Sequence, residues 1–294
     1  MPHPAFGLIT PSYAPDFQRC QLLSATIAQY LRPPFTHYIV VDRCDLPLFA
    51  TLANAHTEIL TVEAIVPGWI GREPMWRKFW VSGRAGLVRN WILQQTVKIA
   101  LAQQIPEDVA VFVDSDVAFV RSLDLTQFVA GSRVRLYRDD MGNIAQRDYH
   151  RPWHQVASRL LNIPMNEQYI PDYIGNLITW RRDHVVQLCQ HLEAQSGRSW
   201  FATLAREWQW SEYILYGLFV DRVLGDRSQH YTMDLNPCHD YWFPQPLADE
   251  ALRAWIGQMQ PEHVAVMISA KSGMNVDRYA RLLENQSVTE FSPP

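Results

Sequence analysis

The chain has 294 residues, 48% of them hydrophobic and 19% charged, with a formal net charge of −4. That length and apolar content are enough to bury a full core, as one large domain or two intimate lobes. The mild acidity and scattered basic residues exclude a nucleic-acid footprint.

In chain order, Phe6–Thr10 reads as a short apolar strand running into the polar turn Thr10-Pro11-Ser12-Tyr13. From Asp16 to Leu31, residues Phe17, Cys20, Leu23, Ile27 and Tyr30 recur at helical spacing until Pro33-Pro34 stops the run. His37–Val41 is a second buried strand, ending in Asp42. An amphipathic stretch follows from Leu46 to Ala55, and Glu58–Val66 is strand-like up to Pro67-Gly68. This β-α-β-α-β opening predicts a mostly parallel sheet with covering helices. Trp69–Gly86 mixes glycine, arginine and aromatic residues without a clean period and reads as a long functional loop. Gly86–Gln104 is predicted as a helix that leads through Pro106 into the next strand.

That strand, Asp108-Val-Ala-Val-Phe-Val-Asp114-Ser-Asp116-Val-Ala-Phe119, is the most informative stretch. An apolar run this short and rich in Val and Phe fits a strand buried on both faces. Acids at its carboxyl end fall where open α/β sheets place their ligand crevices. Alternate residues of a strand point the same way, so Asp114 and Asp116 are expected to reach one spot while Ser115 turns aside. Paired hard oxygens there suit Mg²⁺ or Mn²⁺ carrying phosphate groups. The plainer alternative is two solvated acids opening a turn.

Further along, Arg133–Tyr137 is a predicted strand, His150–Leu161 a helix, and Tyr173–Trp180 a strand with Gly175-Asn176 near its start. Asp183 is expected to cap a helix running to Ala194, and Trp200–Val220 is helical and aromatic. Tyr231–Asp234 and His263–Ser269 are strands, a last helix covers Asn275–Glu284, and Ser287–Pro294 is a frayed tail. The expected organisation is a single domain over residues 1–286, with a nucleotide-binding half to about residue 125 and an acceptor-side half beyond. Cys20, Cys44, Cys189 and Cys238 show no CxxC or zinc spacing, so free thiols in a reducing compartment are expected. No basic and apolar leader opens the chain, and no apolar run spans a bilayer, so a cytoplasmic protein without a transmembrane segment is expected.

Several residues are candidates for chemistry. Asn90, Gln94 and Lys98 share one helix face, and Gln94, Gln95 or Lys98 is read either as a nucleotide contact or as part of an ordinary solvated face. Arg72, Arg77, Lys78, Arg84 and Arg89 form a local basic group suited to a small-molecule phosphate. Asp42 stands at a strand end where an acid can bind a ribose hydroxyl. No G-x-G-x-x-G and no P-loop occurs, so a nucleotide here would be held without a glycine cradle. Glu212, in Trp208-Gln-Trp-Ser-Glu-Tyr, is either a desolvated general base or an exposed first-turn helix acid. His239, with His263 as the weaker competitor, is either structural or a metal ligand.

Taken together, Ile9-Thr-Pro-Ser-Tyr13, Gln94-Gln-Thr-Val-Lys98, Val111-Phe-Val-Asp-Ser-Asp116, Ile174-Gly-Asn-Leu-Ile-Thr-Trp180 and Trp210-Ser-Glu-Tyr213 resemble the GT-A glycosyltransferases. More narrowly, the chain is similar to a mostly microbial, glycosyltransferase-like family catalogued as a domain of unknown function. The resemblance covers residues 6 to 270 and implies an α/β fold with a mixed, mostly parallel central sheet flanked by helices. It implies a metal-dependent transfer of sugar from a UDP- or GDP-sugar to an unidentified glycan or small-molecule acceptor. Asp116, with Asp114, would hold Mn²⁺ or Mg²⁺ on the diphosphate, and His239 would be a further metal ligand. Thr10, Ser12, Tyr13, Asp42, Gln94, Gln95, Lys98 and Ser115 would line the donor site. Gly175, Asn176, Trp210, Ser211 and Glu212 would face the acceptor, with Glu212 as a base in an inverting reaction; a retaining reaction stays open.

Two rivals remain. A haloacid-dehalogenase-like phosphatase would use Asp114 as nucleophile, but Ala118 stands where that pattern needs Thr or Val, and Gly225-Asp226 lacks the second acid four residues on. A non-catalytic carbohydrate- or nucleotide-binding protein would keep the aromatic residues without needing both aspartates.

Overall fold

The computed structural model describes residues 4–72, 79–140 and 144–289. In chain order, β1 (Phe6–Pro11) leads to α1 (Phe17–Tyr30), β2 (Thr36–Val41), a short α2 (Leu46–Phe49) and β3 (Thr57–Thr61). A single turn, α3 (Val62–Ile65), precedes β4 (Ile70–Arg72), β5 (Phe79–Ser82) and β6 (Gly86–Arg89). Then come α4 (Asn90–Gln104), β7 (Val109–Phe112), β8 (Val117–Phe119), β9 (Val129–Ala130), β10 (Arg133–Tyr137) and α5 (Ile144–Leu161). The remainder is β11 (Ile178–Arg181), α6 (Arg182–Ser196), α7 (Trp200–Ala205), α8 (Glu212–Leu218), β12 (His230–Met233), β13 (Cys238–Tyr241), α9 (Asp249–Ile256), β14 (Ala265–Ile268) and α10 (Val276–Thr289).

The main sheet has the order β11-β7-β1-β2-β3. Its strands β7, β1, β2 and β3 run parallel, and β11 closes the edge antiparallel to β7. The α/β class with a mostly parallel sheet between helices is therefore as expected. Alternation along the strands covers both faces. Phe6, Leu8, Val109 and Val111 pack with Leu23 and Ile27 of α1. Ile9, Ala110 and Phe112 pack on the other face with α4, α6 and α8. On that side Trp180 of β11 stacks on Tyr216 at 4.4 Å and meets the Phe112 ring edge-on at 4.4 Å.

Several sequence expectations are corrected. The stretch 108–119 is not one strand: β7 ends at Phe112, and the chain turns before β8, which pairs with β14 in a separate sheet. The Val117 N–H bonds back to the Asp114 carbonyl at 3.2 Å, closing that turn. The Asp and Ser residues that mark the motif are turn formers, and here local chemistry overrides the apolar run. Trp69–Gly86 is no structureless loop, since β4, β5 and β6 form an antiparallel meander; Glu73–Lys78, including Arg77 and Lys78, lies outside the described residues. Glu58–Val66 is a strand only to Thr61, and Trp200–Val220 breaks into α7 and α8. The Tyr173–Trp180 strand begins only at Ile178, and helix α5 starts earlier than His150. Asp183 lies inside α6 rather than capping it, pairing with Arg181 at 2.8 Å. Helix α10 runs on to Thr289, through part of the expected tail. Strand β13 and the short helix α9, whose Leu252 and Ile256 are buried, had no clear signal.

All four cysteines are free thiols, three of them buried. No helix among the described residues is long and apolar enough to cross a membrane.

Candidate functional site

The centre of the site is a buried lysine. Helix α4 is apolar on the faces that meet the sheet, yet Lys98 is only 5% exposed. Its ammonium donates to Tyr213 Oη at 2.9 Å and to Asp114 Oδ1 at 3.1 Å, and lies 3.0 Å from Glu212 Oε1. Three acceptors match its three N–H donors. Burial opposes its charge, but Asp114 first, then Tyr213 and Glu212, outweigh that and raise Lys98 well above the usual lysine range. The solvated-face reading of Asn90, Gln94 and Lys98 therefore fails at Lys98, while Gln94 does line the cavity.

Glu212 is the first residue of α8 and is 5% exposed, so it is no solvated helix acid. Its backbone N–H donates to Gln95 Oε1 at 3.1 Å, and Gln95 Nε2 donates to the Trp91 carbonyl at 3.2 Å. Gln95 thus ties α4 to the start of α8 and satisfies a helix-end donor that would otherwise be orphaned. Ser211 lines the cavity, but Trp210 does not: it is fully buried core.

The two aspartates do not share one orientation. Asp114 lines the cavity with its side chain about a third exposed, 36%. Asp116 turns toward the end of β14, where its Oδ2 accepts the Ala270 N–H at 3.0 Å and its carbonyl accepts Ile268 N–H at 3.1 Å. Burial, reinforced by Asp114, pushes Asp116 up to about 7. Ser115 is buried between them.

Strand β13 supplies a residue that sequence reasoning missed. Alternation sends His239 one way and Asp240 the other. His239 stacks on Trp255 at 4.3 Å and on His263 at 5.2 Å, and its Nε2 meets the Trp255 carbonyl at 3.0 Å, outside the cavity lining. Asp240 lines the cavity instead, its oxygens accepting the side-chain amides of Asn176 (2.9 Å) and Asn236 (2.8 Å). The buried Cys238 thiol is raised well above its ordinary value by burial and by Asp240, Asp116 and Asp114. An acid within a Cys-His-Asp-Tyr strand was the available signal, at opposite parity to the histidine chosen. Gly175 packs beside the Tyr137 ring, and Asn176 acts through Asp240.

The residues expected around a nucleoside lie at the ends of β1 and β2 and are not among those that line this cavity. Thr10 is fully buried, its hydroxyl donating to the Val113 carbonyl at 2.8 Å and contacting His37 Nε2 at 3.0 Å. It joins strands and presents nothing to a ligand. Ser12 is fixed through its N–H to the Val40 carbonyl at 2.9 Å, whereas Tyr13 is 50% exposed. Asp42 pairs with Arg72, and with Cys44 and Asp45 it forms a group with metal-ligating atoms within 4.8 Å of one another. Arg72, Arg84 and Arg89 stand over Trp80, Trp69 and Trp208 at 5.7, 5.5 and 5.9 Å. Only Arg89 of these lines the cavity, and Asp226 does not.

The cavity holds about 1010 Å³. Asp114, Lys98, Glu212, His150, Trp153 and Asp172 all line it. A protein-family profile matches residues 7–259, well over half of the chain. The chain belongs to that family of unknown function, DUF6492. A solved structure similar to the DUF6492 chain is mouse xyloside xylosyltransferase 1 in its apo form, at 8% identity and a TM-score of 0.46, covering 92% of this chain and 99% of that one. No curated protein matches it.

Asp114, Asp116 and Asp240 offer only hard oxygen donors, the kind that divalent Mg²⁺ or Mn²⁺ prefers. Among the described residues their ligating atoms do not close into a three-ligand group, the only such group being Asp42, Cys44 and Asp45. That suits an ion held by one or two carboxylates plus water and substrate phosphate. Among the described residues an ionised Asp116 has Asp114 near it and no ion-pair partner, so a positive charge at this point would offset the unfavourable burial.

Proposed function

We propose that this DUF6492 protein is a metal-dependent glycosyltransferase of the GT-A type, moving a sugar from a UDP- or GDP-sugar to an acceptor hydroxyl. The observation that carries the reading is the convergence of Asp114, Asp240 and the Lys98–Glu212 pair on one large cavity at the carboxyl end of β7. Open parallel sheets bind ligands at that end. The donor diphosphate lies against Asp114 and Asp240, with Asp116 behind, and Mn²⁺ or Mg²⁺ bound there supplies charge to the leaving diphosphate. Tyr13 and Asp42 at the ends of β1 and β2 are the proposed contacts for the nucleoside.

Each residue has a physical task. Lys98 holds Asp114 and Glu212 at fixed positions, so no side chain needs to reorganise as charge develops. Asn176 and Asn236 aim the Asp240 carboxylate, as outer partners aim a ligand. Arg89, Gln94 and Lys271 line the cavity and offer donors to phosphate and sugar oxygens. Trp242, 53% exposed at the cavity rim, offers a flat apolar face to a sugar ring.

The test is a thermal-shift panel of UDP, GDP and their sugars with and without Mn²⁺. A melting temperature raised by nucleotide and metal together, and lost in Asp114→Asn, supports the reading. No shift from any member of the panel removes it.

A further inference from the structure

The cavity lining that holds Lys98 also carries an imidazole that sequence motifs did not mark. His150, on α5, is 9% exposed, and its ring stacks on Trp153 at 4.8 Å with 19° between the planes. Its Nδ1 stands 3.5 Å from Asp172 Oδ2. Asp172 is itself fixed: its Oδ1 accepts the Ile174 N–H at 2.9 Å, and its backbone pairs with that of Asp139 at 2.8 and 2.9 Å. Trp153 is held in turn by Trp91, ring to ring at 5.6 Å. Nε2 has no protein partner among the described residues, and His150 lines the cavity. One nitrogen faces a carboxylate and the other is free, the arrangement of an oriented base.

The other proton acceptors facing the cavity are committed. Asp114 and Glu212 share the Lys98 ammonium, at 3.1 and 3.0 Å. Asp240 takes two side-chain amides, Asp139 is likewise partnered, and Asp148 is 72% exposed with Arg151 at 3.7 Å. Burial lowers the basicity of His150 and Asp172 works against that, so the ring is neutral near pH 7 and able to accept a proton.

We propose that His150, oriented by Asp172, is the base that takes the proton from the acceptor hydroxyl, in place of Glu212. The proposal rests on the glycosyltransferase reading of this cavity. As the acceptor oxygen bonds to the anomeric carbon, its proton passes to His150 Nε2. The bond from that carbon to the diphosphate oxygen breaks, and the nucleoside diphosphate leaves with the electron pair. Asp172 carries no proton in this step; it is a positioning residue that stabilises the imidazolium. A direct displacement of this kind inverts the anomeric configuration.

The experiment uses whichever UDP- or GDP-sugar the intact protein hydrolyses fastest with Mn²⁺, water standing in for the acceptor. His150→Gln is expected to lower kcat by about 100-fold or more, the usual worth of a general base, with KM and the Mn²⁺-dependent binding of UDP or GDP unchanged. Added imidazole restores part of the rate in His150→Ala. Asp172→Asn loses about 10-fold in kcat, and loses nothing further in the His150→Gln background, because both act through one group. If His150→Gln keeps wild-type kcat, or loses kcat only in step with nucleotide binding, the inference is overturned while the transferase reading stands. If the wild type neither binds nor turns over any member of the panel, both fall.

Discussion

Lys98 Nζ and Glu212 Oε1 meet at 3.0 Å with each side chain only 6% exposed, beneath a cavity that reaches solvent. A pair so enclosed contributes little net stability when intact, but removing one partner leaves the other charge stranded. Lys98→Met is therefore expected to cost about 3–5 kcal/mol in chemical denaturation. The more exposed Asp114 adds less than Glu212 to that loss, since water screens it. Lys98→Met combined with Glu212→Leu should recover most of the stability but no Mn²⁺-dependent nucleotide binding. A double variant no more stable than Lys98→Met would show that the pair is not what costs the energy.

The parity of β13 makes a sharp comparison. Asp240→Asn is expected to weaken the Mn²⁺-dependent binding of UDP or GDP by about 10-fold or more, in line with the loss of an oriented metal-site group. His239→Ala should leave that binding unchanged, because its ring stacks on Trp255 outside the cavity. Titration calorimetry on the two variants decides it; the reverse pattern would restore the histidine as the ligand.

Gly217 of α8 lies against the Tyr173 ring, where an added Cβ would come within 2.3 Å of the ring carbons. Tyr173 cannot yield easily, since its hydroxyl donates to Asp221 at 2.6 Å. Gly217→Ala is expected to cost about 1–3 kcal/mol through overpacking, despite the better helix propensity of alanine. A melting temperature equal to or above wild type would contradict the close approach.

Four enclosed histidines set the acid side of stability. Burial pushes His37 and His230 down to about 3 and His154 and His184 to about 4. Each is neutral when folded but charged when unfolded below pH ~6.5, so its contribution stands above that pH and is lost as pH falls toward the folded values. By pH 5 each costs about 2 kcal/mol. Asp116, raised to about 7, has the opposite sign: its contribution is present below its usual 3.8 and lost as pH rises toward 7. Asp172 and Asp240, also raised first by burial, act in the same sense as Asp116. The net expectation is a loss of stability between pH 7 and pH 5 in urea titrations, because the four histidines outweigh the carboxyls. Equal stability at the two pH values would mean that the histidines are solvated.

The parallel half of the fold was legible because strands buried on both faces leave a simple record. Phe6–Pro11, Thr36–Val41 and Val109–Phe112 are short, mostly apolar runs buried almost throughout, and each of the first two is followed by a helix. The meander of β4, β5 and β6 was not legible, since its pairing depends on partners and about half of its described residues face solvent. Nor was β13, whose four residues, Cys-His-Asp-Tyr, show no apolar alternation and are held in place by β14.

By itself the sequence determined the mostly parallel sheet, the placing of carboxylates at the end of β7 and the choice of Gln95, Lys98 and Glu212 as candidates, because these follow from local periodicity and chemical type. Tertiary structure alone decided which way each side chain faces. It turned Asp116 to the Ala270 amide and His239 to Trp255, and it brought Asp240 to the cavity that Asp114 lines. It also set Asp172 behind His150 across 22 residues of chain that carry no motif. Orientation depends on a strand's parity and on what packs behind it, and both are fixed only when distant segments meet.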